Sequence, residues 1–320
     1  MSDICRAPSW LRCDNAATMR APVAAVIALS AALATVACAG GSSGDPSPGP
    51  TASIAPSKSP RAAVSGCEGG PDGSPRVVLH GEGLDSLGPA ISKALAKASE
   101  RSDSAYGYRP STSICAHVFP GDREFIRGLH DQGGFDRATA ATYEKFLGTF
   151  GRDIATGNDA IFINAILPQR VVFIAVHEYF HVVQSHLPRP VGVPTWFEEG
   201  IADWEAQKIE PHPQTNWLAL LVSSQRAGSA PSLSSLATWD QWRTTVAQGN
   251  PANPSAGYHK ARAAAMFLEE TDGEGAASEI LHSGATTLFE EAFRAVTGLG
   301  LAEFESRLEA FLLAPGTGSQ

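Results

Sequence analysis

The sequence predicts an α+β domain, and three observations support this class. Residues 22–37 are apolar, residues 38–65 are mainly Gly, Ser, Pro, Ala and Thr, and globular patterns begin near residue 75. From there, short apolar runs alternate with stretches of helical spacing, which predicts a small sheet with helices. Beyond residue 196 the patterns are nearly all helical. We therefore expect one domain at 66–320, with its sheet in the first half and a mostly helical second half.

The predicted elements are bounded in most cases by glycine or proline. The predicted strands are 76–83, 112–119 and 159–166, the last expected to be a core strand rather than an edge strand that pairs with substrate. The predicted helices of the first half are 84–102, 122–133 and 138–151. Further along, 256–270 and 290–312 have helical spacing, and Trp196, Trp204, Trp239 and Trp242 are expected to lie in the core.

Residues 1–37 have the features of a secretory signal peptide. Arg20 precedes the apolar stretch, which is shorter than the roughly 20 residues that a membrane-spanning helix needs. Met19 is an alternative start to Met1, because the residues before it add nothing that a signal requires. A buried apolar helix is the other interpretation of this stretch, but the basic flank and the linker that follows favour export.

Cys38 directly follows the apolar stretch and resembles the cysteine of a bacterial lipobox. The resemblance implies that Cys38 becomes the mature amino terminus and carries lipid, which would hold the protein at the outer face of the cytoplasmic membrane. Thr35 stands where leucine is usual, so plain secretion is the alternative. The segment at 38–65 cannot bury enough apolar surface to order itself and is expected to be a disordered tether.

Two cysteines remain for the folded domain. Cys5 and Cys13 precede the signal, and Cys38 would carry lipid, which leaves Cys67 and Cys115. In an oxidising compartment a disulfide between them is the expected pairing, with two buried thiols as the alternative.

The charge of the chain excludes one class of partner. The sequence has 24 basic and 33 acidic residues, a formal net charge of −9. Nucleic acids and anionic membrane surfaces are bound by basic patches, and the sequence contains no basic stripe with interleaved aromatic residues. We expect no nucleic-acid partner, and we expect membrane contact only through the lipid on Cys38.

The segment HEYFH lies inside a predicted buried helix at 168–188, which begins with proline and is apolar all round over 171–176. His177 and His181 are four residues apart on one face, so both imidazoles can reach a single metal ion. Glu178 is rotated about 100° from His177 around the helix. From there its carboxylate can act on a metal-coordinated water without being a ligand.

The segment WFEEGIAD supplies the third candidate ligand. A catalytic zinc takes three protein ligands and keeps one position open. Glu199 and Asp203 lie one turn apart on the same face, and Asp203 can hold a ligand imidazole through its second ring nitrogen. Glu198 points about 100° away and is expected to contact substrate or to be a solvated charge. Gly200 would allow another helix to approach closely.

HEYFH followed by EEGIAD resembles the metal-binding signature of the gluzincin metallopeptidases, the thermolysin and aminopeptidase N group. The resemblance implies a zincin-like fold, Zn²⁺ held by His177, His181 and Glu199, and hydrolysis of a peptide or protein substrate with Glu178 as general base. In AGYHKARAAAMFLEE, Tyr258 and Lys260 stand where aminopeptidase N relatives have a tyrosine segment. Tyr258 would then donate to the oxyanion, while a core aromatic at a helix start is an equal alternative.

Two other functions are open at this stage. One is an exported zinc hydrolase of a non-peptide substrate, and the other is a surface binding module that keeps the fold without turnover. The intact HEYFH argues against the second, because such a module has no need of Glu178. The sequence has no motif to hold a free substrate amino terminus, so aminopeptidase activity is not supported. It leaves the substrate, the choice of internal or terminal cleavage, and the oligomeric state open.

The lipid anchor can be tested by phase partitioning in detergent. Cys38→Ala is expected to move the exported protein from the detergent phase to the aqueous phase, because it removes the acceptor of the lipid. Cys13→Ala is the matched control and should partition like the wild type, since signal cleavage removes that residue. Equal aqueous release of the wild type and Cys38→Ala would contradict the anchor.

Overall fold

The computed structural model describes residues 67, 75–110, 113–144, 146–212, 216–248, 255–315 and 317. All of them belong to one unit at 60–320. The predicted signal peptide and the whole of the predicted tether at 38–65, with Met1, Met19 and Cys38, lie outside the described residues. No helix among the described residues is both long and apolar enough to cross a membrane.

Strands and helices alternate through the first half of the described chain. The strands are β1 (Arg76–Leu79), β2 (Cys115–Phe119), β3 (Gly148–Arg152) and β4 (Asp159–Asn164), and the helices are α1 (Leu87–Tyr106), α2 (Asp122–Asp131), α3 (Arg137–Ala141) and α4 (Val171–His186). A short 3₁₀ turn, Pro168–Arg170, leads into α4. The predicted α+β class with a small sheet is confirmed.

The four strands form one mixed sheet in the order β1-β2-β4-β3. The first three are parallel, and β3 pairs antiparallel with β4 at the edge. Because side chains alternate between the faces of a strand, each face has its own core. Ala116, Val118, Ile161 and Ile163 pack in the core that includes α1 and α4, and Cys115, Phe119, Ala160 and Phe162 pack in the core that includes α2 and α3. The sheet therefore lies between two helical layers.

The predicted helix at 138–151 is wrong. The helix α3 ends at Ala141, and from Gly148 the chain forms β3. Pairing along the whole of β3 with β4 overrides the local helical pattern, and glycines at 148 and 151 are themselves poor helix formers. As a result β4 is a central strand, as predicted for 159–166. The edge strand is β3, in a segment for which the sequence pattern did not predict a strand.

The second half of the described chain is helical, as predicted. Its helices are α5 (Thr195–Ile209), α6 (Trp217–Arg226), α7 (Trp239–Gln248), α8 (Ala256–Asp272), α9 (Ala276–Leu281), α10 (Phe289–Thr297) and α11 (Leu301–Leu313). The stretch at 290–312 is divided between two helices at Gly298, which adopts a left-handed φ of 70°. Trp196 and Trp242 are buried as expected, but Trp239 is 41% exposed, so its predicted core position is wrong.

The disulfide partners lie together. The sulfur atoms of Cys67 and Cys115 are at bonding distance, with Cα atoms 5.6 Å apart and a sequence separation of 48. Both side chains are buried beside the core that includes α2 and α3. The bond joins the segment that precedes β1 to the start of β2, as the cysteine count predicted.

Helix α4 is almost completely buried at the centre of the domain. It packs against α1, β3, β4 and α5, and α5 packs in turn against α8. The closest approach is at Gly200 of α5, where an added Cβ would collide with the carbonyl oxygen of Ala261 in α8. Gly200 therefore allows close helix packing, as predicted, and the helix that packs against it is α8.

The contact between Gly200 and the backbone of Ala261 predicts that any larger residue at position 200 destabilises the protein. Gly200→Ala is expected to destabilise the protein by about 1–3 kcal/mol, because one methyl group must displace the backbone of α8. The measurement is urea unfolding followed by circular dichroism. Gly88→Ala in α1 is the matched control, since its Cβ would meet only Leu79 at 3.5 Å, an ordinary contact. Replacement of a helical glycine by alanine, where there is space for the Cβ, should raise the free energy of unfolding by about 0.4–1 kcal/mol. Equal effects at both positions would contradict the packing described here.

Candidate metal centre

Helices α4 and α5 bring three potential ligands together. His177, His181 and Glu199 form a buried group whose ligand atoms lie within 4.8 Å of one another. The Nε2 atoms of the two histidines are 3.0 Å apart. The carboxylate oxygens of Glu199 lie 3.4 Å from Nε2 of His177 and 3.5 Å from Nε2 of His181.

The spacing of these atoms fits one shared metal ion. Ligand atoms bound tetrahedrally at about 2.0–2.1 Å are about 3.3–3.4 Å from one another. The three observed separations, from 3.0 to 3.5 Å, lie on both sides of that value. Two imidazoles and one carboxylate are also a donor set that divalent transition metals accept. The group can therefore hold a metal ion without rearrangement of the helices.

His177 is oriented by Asp203. Its Nδ1 donates to Oδ1 of Asp203 at 3.0 Å, which leaves Nε2 facing the other two ligands. Asp203 is itself held by Arg262 of α8, whose Nε and Nη2 donate to Oδ2 at 2.9 and 2.7 Å. The sequence indicated the role of Asp203 through its spacing from Glu199. It gave no signal for Arg262, which lies 59 residues further along the chain.

His181 has an equivalent support within its own helix. Its Nδ1 donates to Oε1 of Gln184 at 3.0 Å, and Nε2 of Gln184 donates to the carbonyl oxygen of Glu198 at 2.9 Å. Both histidines therefore use Nδ1 for orientation and present Nε2 to the ligand group. Sequence reasoning missed Gln184, although its position one turn after His181 is a usable signal.

Two carboxylates of the site are ionised although they are buried. Burial by itself would raise the pKa of Glu199, but His181 and His177 lower it to about 2. Burial likewise opposes ionisation of Asp203, yet Arg262 and His177 hold its pKa well below the ordinary range. Both carboxylates are therefore anionic inside the protein. Without a metal ion, the histidines balance part of this charge: although burial opposes it, Asp203 and Glu199 raise the pKa of His177, and Glu199 raises that of His181. A divalent ion at the three ligands would replace the protons on the two imidazoles.

Glu178 lies beside the ligand group without belonging to it. Burial raises its pKa above the ordinary value, although His177 and His181 act in the opposite direction. An added Cβ on Gly148 of β3 would lie 2.7 Å from Oε1 of Glu178 and 2.6 Å from Cγ2 of Ile174. The bare glycine of the edge strand therefore provides the space that the Glu178 side chain occupies.

The two adjacent glutamates of α5 have different partners. The carboxylate of Glu199 faces the histidines, while that of Glu198 forms an ion pair with Arg189 and is 25% exposed.

Tyr258 and Lys260 of α8 point to different surroundings. Tyr258 lines the same cavity as Glu178, with its ring centroid 6.3 Å from that of His177 and 4.9 Å from that of Trp242. Burial, followed by the nearby carboxylate of Glu199, raises the pKa of its hydroxyl well above the usual value, so the hydroxyl keeps its proton. Lys260 instead bonds to Gln225 and Glu309. The resemblance to aminopeptidase N relatives suggested a position near the site for Lys260, but its contacts lie elsewhere and give it no role at the site.

A cavity of about 610 Å³ opens beside the ligand group. Its walls come from the end of the 3₁₀ turn, α4, the start of β3, α7 and α8. The lining includes the candidate ligand His177 and the candidate catalytic groups Glu178 and Tyr258, together with Arg170, Arg243, His259 and Arg262. A substrate in this cavity would reach Glu178 directly.

A second buried group also has ligand types that metals use. Cys67, Cys115 and His117 lie within 4.8 Å of one another. His117 contacts Asp153 through Nε2 at 3.1 Å and His80 through Nδ1 at 2.9 Å. The sulfur atoms of the two cysteines are at bonding distance from each other. Because a disulfide has no thiolate to offer a metal, this group is open to an ion only after reduction.

The chain matches no model of a known protein family, and no curated protein is significantly similar to it. The information on function lies in the site itself, in the geometry of its candidate ligands, its charges and its cavity.

The ligand assignment can be tested by titration with Zn²⁺. Glu199→Gln is expected to lose most of the bound metal, because it removes the anionic ligand. Asp203→Asn should weaken binding by about 10- to 100-fold, since Asp203 orients His177. Isothermal titration of the purified variants measures both effects.

Glu198→Gln is the matched control for these variants. It removes the neighbouring carboxylate, which pairs with Arg189 rather than with the histidines, so zinc binding should stay near that of the wild type. If Glu198→Gln lost zinc and Glu199→Gln retained it, α5 would have to turn Glu198, rather than Glu199, toward the two histidines.

Proposed function

We propose that this protein is an exported, zinc-dependent peptidase. The observation that carries the proposal is the group of His177, His181 and Glu199 with Glu178 immediately beside it at the wall of an open cavity. Three protein ligands with a neighbouring carboxylate base are the parts that metal-assisted hydrolysis needs. The arrangement also supports the resemblance of HEYFH and EEGIAD to the gluzincin signature, and hence a zincin-like fold.

Zinc fits the ligand set best among the common metals. It accepts imidazole nitrogen and carboxylate oxygen in a tetrahedral site, which matches the donors and separations found here. When bound, Zn²⁺ would act as a Lewis acid and lower the pKa of a coordinated water to about 7. His177 and His181 would bind through Nε2, because Asp203 and Gln184 occupy their Nδ1 atoms.

Glu178 is the residue that would move the proton. As general base it accepts a proton from the attacking water at its carboxylate, and as general acid it then gives that proton to the leaving amine. Its burial raises its pKa, which brings the carboxyl closer to the pH at which it works. Gly148, which has no side chain, leaves the space that the Glu178 side chain occupies.

Tyr258 would assist as a hydrogen-bond donor. Its hydroxyl stays protonated because burial and nearby carboxylates raise its pKa. Packing of its ring against Trp242 limits the positions that the hydroxyl can take. A fixed donor in a partly buried site is suited to stabilise the negative charge that develops on the carbonyl oxygen.

The edge strand β3 favours a peptide over other substrates. In the described part of the chain, β3 pairs only with β4, so its other edge has main-chain groups available for an extended peptide. This strand runs beside α4, and the ring of Phe150 stacks on His181 at 5.6 Å while 39% of its side chain is exposed. A peptide added at this edge would pass close to Glu178.

The proposed location follows from the segment before the domain. The signal-like residues 1–37 and the tether at 38–65 support a location outside the cytoplasm, with lipid on Cys38 as the proposed anchor. A disulfide within the domain agrees with an oxidising compartment.

The catalytic role is tested with Glu178→Gln. This variant is expected to lose at least about 100-fold in the rate of peptide hydrolysis, because the base is gone, while its zinc content stays near that of the wild type. The measurement combines cleavage of a quenched-fluorescence peptide library with metal analysis of the same preparation. Glu303→Gln on α11 is a control for loss of a carboxylate and should cleave normally. Unchanged turnover in Glu178→Gln would remove the peptidase assignment.

A further inference from the structure

The charges that line the cavity are not balanced. Its carboxylates are Glu178 and Asp203, and its guanidinium groups belong to Arg170, Arg243 and Arg262. Asp203 is committed to Arg262 and His177 by hydrogen bonds of 2.7–3.0 Å. Glu178 lies beside the metal ligands. The part of the cavity away from the metal group therefore keeps two arginines without a lining carboxylate.

Neither of these arginines is neutralised in the described part of the chain. Arg170, at the end of the 3₁₀ turn before α4, has no ion pair with another described residue. Arg243 on α7 has one contact, to Asp240 at 4.0 Å, and the Asp240 side chain is 91% exposed. Such a long surface pair contributes little. Both guanidinium groups can therefore accept an anionic partner inside the cavity.

His259 adds a buried polar group to the same wall. It is 1% exposed, and its Nδ1 has no hydrogen-bond partner among the described residues. Burial, followed by the neighbouring charge of Arg262, lowers the pKa of its imidazole to about 4, so the ring is neutral near pH 7. Buried polar side chains without partners are uncommon, and they indicate a ligand or water that supplies the missing bond.

Part of the remaining wall is apolar, beside the polar side chains of Thr142, His212, Thr244 and Ser255. Phe146, Phe173, Ile174 and Val246 contribute to the lining. An apolar pocket with a few convergent polar groups is the usual form of a small-molecule or side-chain site. Here the polar groups are cationic or neutral except at the metal end.

We propose that this cavity is a specificity pocket for a carboxylate of the peptide substrate, bound by Arg170 and Arg243. The proposal rests on the proposed peptidase function and names its substrate class. Guanidinium groups bind carboxylates through charge-assisted, often bidentate hydrogen bonds. The side chain of Arg243 is 43% exposed, so a ligand can reach it from solvent. The carboxylate has two possible sources, an acidic side chain or the free carboxyl terminus of the peptide.

Binding to the full chain in its zinc-loaded Glu178→Gln form separates recognition from turnover. Peptides blocked at both ends and carrying Glu are compared with the same peptides carrying Gln. A second series compares a free carboxyl terminus with its amide. One series, depending on the source of the carboxylate, should show about 10- to 100-fold tighter binding of the acidic member. Fluorescence anisotropy of labelled peptides measures the dissociation constants.

The arginines are then replaced one at a time in the same background. Arg170→Gln and Arg243→Gln should each reduce the preference for the acidic member at least about 10-fold, while the affinity for the neutral member changes less than about 3-fold. Arg307→Gln is the matched control, because Arg307 lies on α11, pairs with Glu303 and does not line the cavity. Zinc content and circular dichroism establish that each variant is folded.

The outcomes distinguish this inference from the peptidase proposal. Preferred binding of the acidic member without any cleavage by the wild type would support the pocket and reject the peptidase function. Cleavage without a preference for a carboxylate, or a preference that survives both arginine variants, would overturn the pocket and leave the peptidase function standing. Absence of binding by every peptide to the zinc-loaded protein would also overturn the pocket.

Discussion

The hydrogen-bonded chain from His177 through Asp203 to Arg262 holds the site together. Its three side chains come from α4, α5 and α8, and all are buried. A buried carboxylate without partners is strongly unfavourable. Removal of one partner from a buried ion pair, such as that of Asp203 with Arg262, typically costs about 3–5 kcal/mol. The three helices are therefore held in one relative position. Because Glu199 lies one turn before Asp203, the same constraint places its carboxylate opposite the histidines.

Two glycines make this constraint compatible with close packing. Gly200 lets the backbone of α8 approach α5, and Gly148 lets β3 approach α4 beside Glu178. A side chain at either position would separate elements that carry parts of the site. The lack of a side chain therefore has a structural role at both positions. Gly200 allows the helix contact that supports His177, and Gly148 leaves the space that Glu178 occupies.

The position of α4 between the sheet and the helical half gives the site its chemical character. On one side, packing of α4 keeps the ligand atoms away from bulk water, which strengthens their interaction with a cation. On the other side, an edge strand and an open cavity give access to the same atoms. In the proposed peptidase, the edge strand would align the main chain of a substrate and the cavity would select one of its carboxylates. The selectivity and the chemistry then come from neighbouring but separate groups.

The sequence by itself determined most of the elements and the candidate ligands that local spacing encodes. The two histidines lie one turn apart on one helix, as do Glu199 and Asp203, and helical periodicity fixes such pairs without any long-range information. Only the tertiary structure decided the rest. The residues at 148–152 became an edge strand because β4 was available to pair with them, and Arg262 reached Asp203 because α8 packs on α5. Contacts between distant segments depend on packing of the whole domain, which no local pattern records.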